Sequence, residues 1–415
     1  MKRSILTAVA VVGMTTAAQA QAPITRANNE SVAERQRPDY DALGIRLGAF
    51  EMLPTVKLAA ETNDNIFARE IGAQDDVIFT ITPALSIASD WSKNALRIDA
   101  HATNATYQDF DSEDFDEVGV SGQFRADISP DANVAVGGEY WDGVEPRISP
   151  DAATSVVNPI EYSRQNAFIG GAYTFSRLRV SARAEVNDLN YENGRTALGA
   201  VVDQQFRDHQ ENVQTLRFEY AVTPSTALVL QGQTDQYNYD HPATGPGDSD
   251  GYNVRVGANA DITNLLRGEV TVGYLSREFD KSNLTIEGFA ADANLEYFIT
   301  RLTTITFTGS RDVQDAGFGS ILPIGRVATR YGVRADHELL RNVVVTGGIS
   351  GGTDDYKGID RNDDLFEGQV GARYLLNRHA ELGANYYYTD VQSSGLNRDR
   401  DFNVNRFLVS VTLKL

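Results

Sequence analysis

From residue 50 to its end the chain repeats one pattern, in which apolar and polar side chains alternate residue by residue. Leu178, Val180, Ala182, Ala184 and Val186 interleave with Arg179, Ser181, Arg183, Glu185 and Asn187. Tyr252, Val254, Val256 and Ala258 interleave in the same way with Asn253, Arg255, Gly257 and Asn259. Successive strand residues point to opposite faces, so each stretch has one apolar face and one charged or small polar face. The stretches fall near 54–61, 77–88, 95–107, 116–128, 132–141, 162–174, 178–191, 209–222 and 227–239, then 251–262, 267–279, 284–298, 303–312, 327–338, 343–354, 365–376, 380–390 and 402–415. Most run to about 10–14 residues, against about 5–6 in soluble sheets, and a tilted strand of about 9–11 crosses a bilayer.

Two kinds of connection alternate between the stretches. Asp90-Trp91-Ser92-Lys93, Ser129-Pro130-Asp131, Phe175-Ser176-Arg177, Thr223-Pro224-Ser225 and Leu376-Asn377-Arg378 are short and turn-like. Residues 108–115, 142–161, 190–208, 240–250, 313–326, 354–364 and 390–401 are long, polar and acidic. Short turns on one rim and long loops on the other are the arrangement of an outer-membrane barrel. The fold expected over 51–415 is all-β, a transmembrane antiparallel up-and-down β-barrel of about eighteen strands. Aromatic residues near the stretch ends predict two girdles at the lipid headgroups. Trp141, Tyr162, Tyr191, Tyr237, Tyr252, Phe279 and Tyr386 lie toward the loops, and Phe124, Phe175, Phe218, Tyr297 and Tyr374 toward the turns.

The start of the chain reads as an address. Basic Lys2 and Arg3 precede an apolar run from Ile5 to Met14, and Ala18-Gln19-Ala20 has the small-x-small pattern of a signal-peptidase site. Residues 1–20 are therefore expected to be a signal peptide cleaved after Ala20. Residues 21–50, polar and rich in Asn, Glu and Arg, form an N-terminal segment expected in the periplasm of a Gram-negative cell.

If the apolar parity faces lipid, the other parity lines the lumen. The pore-lining candidates are Arg97, Asp99, Arg125, Arg179, Arg183, Glu185, Arg217, Glu219, Arg255, Arg330, Arg334 and Arg373. Pairing across neighbouring strands is the expected fate of many of them. A formal charge of −20 repels a polyanion and excludes nucleic acid as a partner. Outer-membrane lipid and lipopolysaccharide are the partners expected of such a barrel. The acidic run Asp109, Asp111, Glu113, Asp114, Asp116, Glu117 is a candidate for divalent cations bridging lipopolysaccharide phosphates. Asp248-Ser249-Asp250-Gly251 and Asp360-Arg361-Asn362-Asp363-Asp364 lack the closing glutamate of a calcium loop and read as turns. The loops 142–161 and 190–208 are the candidates to fold inward. The second carries an apolar patch, Ala197 to Val202, that water would not favour.

With no cysteine, the chain has neither a thiolate metal site nor a thiol nucleophile. Its five histidines are scattered without metal spacing, and only His209 lies on a stretch near the loop rim, where a barrel lipase would need one. The expectation is a protein that is not an enzyme, with no cofactor and no metal.

Residues Arg37 to Phe67 carry a more specific signal. Arg37, Pro38, Tyr40, Asp41, Gly44, Ile45, Arg46, Leu47 and Gly48 precede the first stretch, and Asp64, Asn65, Ile66 and Phe67 close it. This entrance resembles that of an outer-membrane β-barrel porin family associated with exopolysaccharide export loci. The resemblance implies a conduit for hydrophilic material assisting exopolysaccharide export, together with a periplasmic export component. Two alternatives stand beside it: a general diffusion porin for small solutes, and a structural or adhesive barrel with an occluded lumen.

Overall fold

The computed structural model describes residues 30–241, 247–263, 265–281, 284–314 and 325–415. The leader with its cleavage position at Ala20, and parts of the connections 240–250 and 313–326, lie outside them. Eighteen long strands form a closed antiparallel cylinder. They are β1 (Phe50–Asn63), β2 (Asp76–Ser89), β3 (Ala95–Tyr107), β4 (Phe115–Ser129), β5 (Ala132–Val144), β6 (Glu161–Phe175), β7 (Leu178–Tyr191), β8 (His209–Thr223) and β9 (Thr226–Tyr239). The second half comprises β10 (Ser249–Thr263), β11 (Leu266–Phe279), β12 (Leu284–Thr300), β13 (Thr303–Gln314), β14 (Gly325–Leu340), β15 (Val343–Lys357), β16 (Asn362–Leu375), β17 (Ala380–Ser394) and β18 (Phe402–Lys414). Each strand pairs with its neighbour in sequence, and β1 closes on β18 from Thr55↔Lys414 to Asn63↔Arg406. A short strand, Ile45–Leu47, folds back onto the start of β1.

All eighteen predicted stretches correspond to strands, and β3 and β7 keep the expected limits. Most of the others run further, many toward the loop rim, so β5 reaches Val144, β15 Lys357 and β17 Ser394, while β16 and β18 stop one residue short of the expected 376 and 415. Above the hydrocarbon both faces are polar, so the alternation fades while the ladder continues, and periodicity alone ends the strand too soon. The two calcium-like clusters are half strand for the same reason, since Ser249–Gly251 open β10 and Asn362–Asp364 open β16.

Two ion pairs fix which face is inside. Arg217 on β8 reaches Glu269 on β11 at 2.6 Å, past two intervening strands, and Arg255 on β10 reaches Asp312 on β13 at 2.7 Å. Side chains three strands apart converge only on a concave surface. The charged parity is therefore the inner wall, and the apolar parity is exposed outside, with Val256 at 52% and Phe289 at 55%.

Arg277 on β11 pairs with Asp235 on β9 directly over Gly251 of β10. A Cβ on Gly251 would lie 2.6 Å from an Asp235 carboxylate oxygen, so the bridge needs glycine beneath it. Both partners are buried, and disrupting a buried pair is costly. Gly251→Val is expected to destabilise the barrel by about 1–3 kcal/mol, near the size of an unsatisfied buried polar group. Gly347→Val, where nothing lies within 4 Å of the added carbon, should be silent. The midpoint of heat-induced unfolding in detergent checks both.

Candidate functional site

The inner wall is a lattice of paired charges. Every one of the twelve pore-lining candidates lies on the inward parity, and each arginine among them has a carboxylate partner. Five pairs run along one strand between residues i and i+2: Arg97–Asp99, Arg125–Asp127, Arg183–Glu185, Arg217–Glu219 and Arg334–Asp336. Arg179–Glu219, Arg330–Asp354 and Arg373–Glu381 join neighbouring strands, and Arg255 takes the longer reach to Asp312. Pairing along a strand thus stands beside the expected cross-strand pairing, which also joins Arg164 to Glu139, Arg267 to Glu296 and Arg406 to Glu61. A period of two places i and i+2 on one face, and the long arginine side chain folds back to meet its neighbour.

The turn-side girdle follows the expected outward parity, with Phe124, Phe175, Tyr297 and Tyr374 all exposed. The loop-side set does not. Tyr252 and Tyr386 face outward, whereas Trp141, Tyr162, Tyr191, Tyr237 and Phe279 have the inward parity. Trp141 and Tyr162 pack with ring centres 4.6 Å apart, Tyr162 stacks on Tyr191 at 5.1 Å, and the Arg207 guanidinium lies over Tyr191 at 4.0 Å. Position near a strand end does not distinguish an outward ring from an inward one; only parity does.

Residues 145–160, between β5 and β6, cross the loop-side mouth. Their base is held by Glu145–Arg207 at 2.8 Å and Arg147–Glu113 at 2.6 Å, and Arg400 donates to the Arg147 carbonyl at 2.5 Å. Further along, Asp151 meets Arg326 of β14 at 3.3 Å. β14 lies eight strands round from β6, nearly the opposite wall of an eighteen-strand cylinder. Such a cylinder is about 35 Å across between backbone centres, given a strand spacing of about 4.8 Å and a tilt of about 40°. Sixteen residues can run out and back over roughly 25 Å. With the Arg326 side chain reaching in from the far wall to meet Asp151, the loop spans the bore. Asp151 is largely covered, about one-fifth of its side chain remaining exposed, and burial pushes its carboxyl above the ordinary carboxylate range, against the pull of Arg326.

β14 helps by leaning inward. The β12–β13 ladder stops at Ala291↔Arg311, and beyond it Val313 and Val327, on the outward parity, are buried against Phe279, Ile286 and Ala290 of the inner wall. The bent strand carries Arg326 into the bore, where it is 1% exposed beside Asp354 and Tyr356.

Of the two loops expected to fold inward, 190–208 behaves differently. It forms a small hairpin, Gly194–Arg195 with Val201–Val202, that lies on the crossing loop through a Val157 N–H to Arg195 carbonyl bond of 2.9 Å. A Cβ on Gly194 would sit 2.5 Å from Val156, so glycine permits the contact. Its apolar tip points out, not in, with Leu198 98% exposed.

Three of the six carboxylates in the acidic run 109–117 are engaged by neighbouring side chains. Glu113 pairs with Arg147, Glu117 with His101, and Asp116 accepts from Asn104. Among the described residues no group of three or more His, Asp or Glu side chains could hold a metal ion. At the turn-side mouth, Val32 N–H donates to Thr304 Oγ1 at 3.1 Å, Glu34 pairs with Arg267 at 3.2 Å, and Arg35 and Arg37 pair with Glu338 at 3.0 and 3.3 Å. The sequence shows none of these partnerships, because none is local.

Residues 37–415 match the sequence model of a family described as "Putative beta-barrel porin 2". The chain belongs to that family. Among curated proteins no relative matches. Solved porin-like barrels of similar fold include OccK2 (OpdF) of Pseudomonas aeruginosa, 11% identical, covering 89% of this chain and 99% of that one with a TM-score of 0.48. OpdO of the same organism is 14% identical over 89% and 98%, TM-score 0.48. OccAB4 of Acinetobacter baumannii is 13% identical over 92% and 100%, TM-score 0.47. The porin-family chain is thus an outer-membrane β-barrel with a polar, internally paired bore.

Proposed function

We propose that this barrel is a diffusion porin that passes small hydrophilic solutes across the outer membrane. It acts as a conduit, without catalysis. The observation that carries the reading is the loop 145–160, which crosses a charged bore and is pinned on both walls by buried ion pairs. A bore divided in this way favours small solutes. Exopolysaccharide export, which the family resemblance implies, would require the pins at Glu145, Arg147 and Asp151 to release before a polymer chain could pass. Because each inner-wall arginine is paired, its field is short-ranged, and solutes meet a hydrated wall of low net charge. The loop rim would sit among lipopolysaccharide and the residues 30–44 in the periplasm, after removal of the leader at Ala20.

Planar-bilayer recording of the purified mature chain tests the proposal. Stepwise insertion with an ohmic conductance that rises with salt concentration is expected. A protein that inserts tightly and stays silent would be an occluded structural barrel instead.

A further inference from the structure

Where β1 and β18 meet, the loop rim holds a cleft of about 240 Å³ between the 64–75 connection, the crossing loop and the 395–401 connection. That volume lies below the range of about 300–1,000 Å³ for drug-sized ligands and suits one charged, sugar-sized group. Three arginines line it, Arg69, Arg147 and Arg400, with Phe67 as an apolar wall. Two carboxylates line it as well, but both are engaged: Glu70 with Arg398 at 3.2 Å and Asp399 with Arg361 at 3.4 Å. Arg147 is matched by Glu113. Arg69 lies over the Phe67 ring at 4.4 Å, Arg400 lies 5.3 Å from Phe402, and among the described residues neither has an ion-pair partner. The Arg400 Nε–H is buried with nothing to accept it. In a chain of formal charge −20, two unmatched guanidiniums at one cleft are conspicuous.

We propose that this cleft binds an oxyanion, a carboxylate or phosphate group, between the guanidiniums of Arg69 and Arg400. Guanidinium forks match the planar pair of oxygens on a carboxylate or phosphate, and charge-assisted hydrogen bonds are the strong ones. The buried Nε–H gains the acceptor it lacks. Burial also pulls the Arg400 guanidinium below its ordinary value, against Asp399 and with Arg147 and Arg361 adding like charge, and a bound anion would relieve this. Two sources can supply the anion, a free acidic solute and a lipopolysaccharide phosphate. The site does not depend on whether the bore conducts. A silent protein that still binds would sink the diffusion reading alone.

Calorimetric titration of the full mature chain in detergent at low ionic strength tests the site, with galacturonate and inorganic phosphate as probes and galactose as the uncharged control. Saturable binding of both anions, and none of galactose, is expected. Arg69→Gln removes an exposed guanidinium without breaking an ion pair and should weaken both anions at least tenfold. Arg400→Gln should do the same, with Arg69→Gln deciding the matter if that variant fails to fold. Absence of saturable anion binding, equal binding of galactose, or unchanged affinities in Arg69→Gln would overturn the proposal. In vesicles bearing phosphorylated lipopolysaccharide, loss of galacturonate binding would identify the lipid phosphate as the resident group, and undiminished binding a free solute.

Discussion

Arg326→Met should raise the conductance of the channel several-fold at neutral pH, and acidification should bring it back down. Arg326 is the cation that receives the end of the crossing loop on the far wall. Removing it takes away the ion-pair partner of Asp151 and leaves that carboxylate near Asp354, which Arg330 still holds, and breaking a buried pair by removing one partner costs about 3–5 kcal/mol. The base of the loop stays attached through Glu145 and Arg147. Its far end has then lost its seat, and the bore opens.

The reversal follows from the proton. A released loop exposes Asp151 to water, where a carboxyl titrates near 3.9. In the seated loop burial holds it higher, with Arg326 opposing. Between those two values the seated form carries the extra proton, so seating strengthens as pH falls through that window and weakens as pH rises. Without Arg326 the seated value moves further up, and the window widens. Single-channel recordings of wild type and variant from neutral to mildly acidic pH check both statements. A variant that conducts as wild type does at neutral pH would show that the Asp151 contact does not hold the loop.

The second large effect concerns the outer face. Val256 lies near the middle of β10 on the outward parity and is half exposed, while Arg255 beside it points into the bore. Val256→Arg should cost about 2–4 kcal/mol, the penalty for a cation facing lipid near the bilayer midplane. Asn259→Arg, three residues on and inward, exchanges one polar side chain for another near Glu269 and should cost little. Equilibrium unfolding by urea in phospholipid vesicles measures both. Equal costs would mean that the greasy face of β10 does not meet hydrocarbon.

The cylinder itself was legible because its rule is local. In β7, every second residue from Leu178 to Val186 is apolar and a tight turn precedes the strand, so the sequence carries its faces and its start. Parity also identified the inward arginines. It could not say whom they would meet, since Arg217 has three acceptors at comparable reach, Gln231, Glu219 and Glu269, and curvature decides among them. The loop contacts were beyond reading. Asp151 and Arg326 are 175 residues apart, in segments whose composition marks them only as polar. Loop 190–208 shows the opposite failure, where a sound general rule about apolar patches gave way to a hairpin whose tip carries Leu198 into the open.

The attachment of residues 31–38 at the turn-side mouth has a mechanical consequence. These residues hold Arg267 on β11, Thr304 on β13, Glu338 on β14 and, through the Pro38 carbonyl, Arg378 in the turn before β17. A wide cylinder yields most easily by flattening into an ellipse, a motion that leaves every ladder hydrogen bond intact. A strut tied to one arc at four places resists that flattening, so the lower aperture keeps a steady cross-section while the upper one is set by its loop.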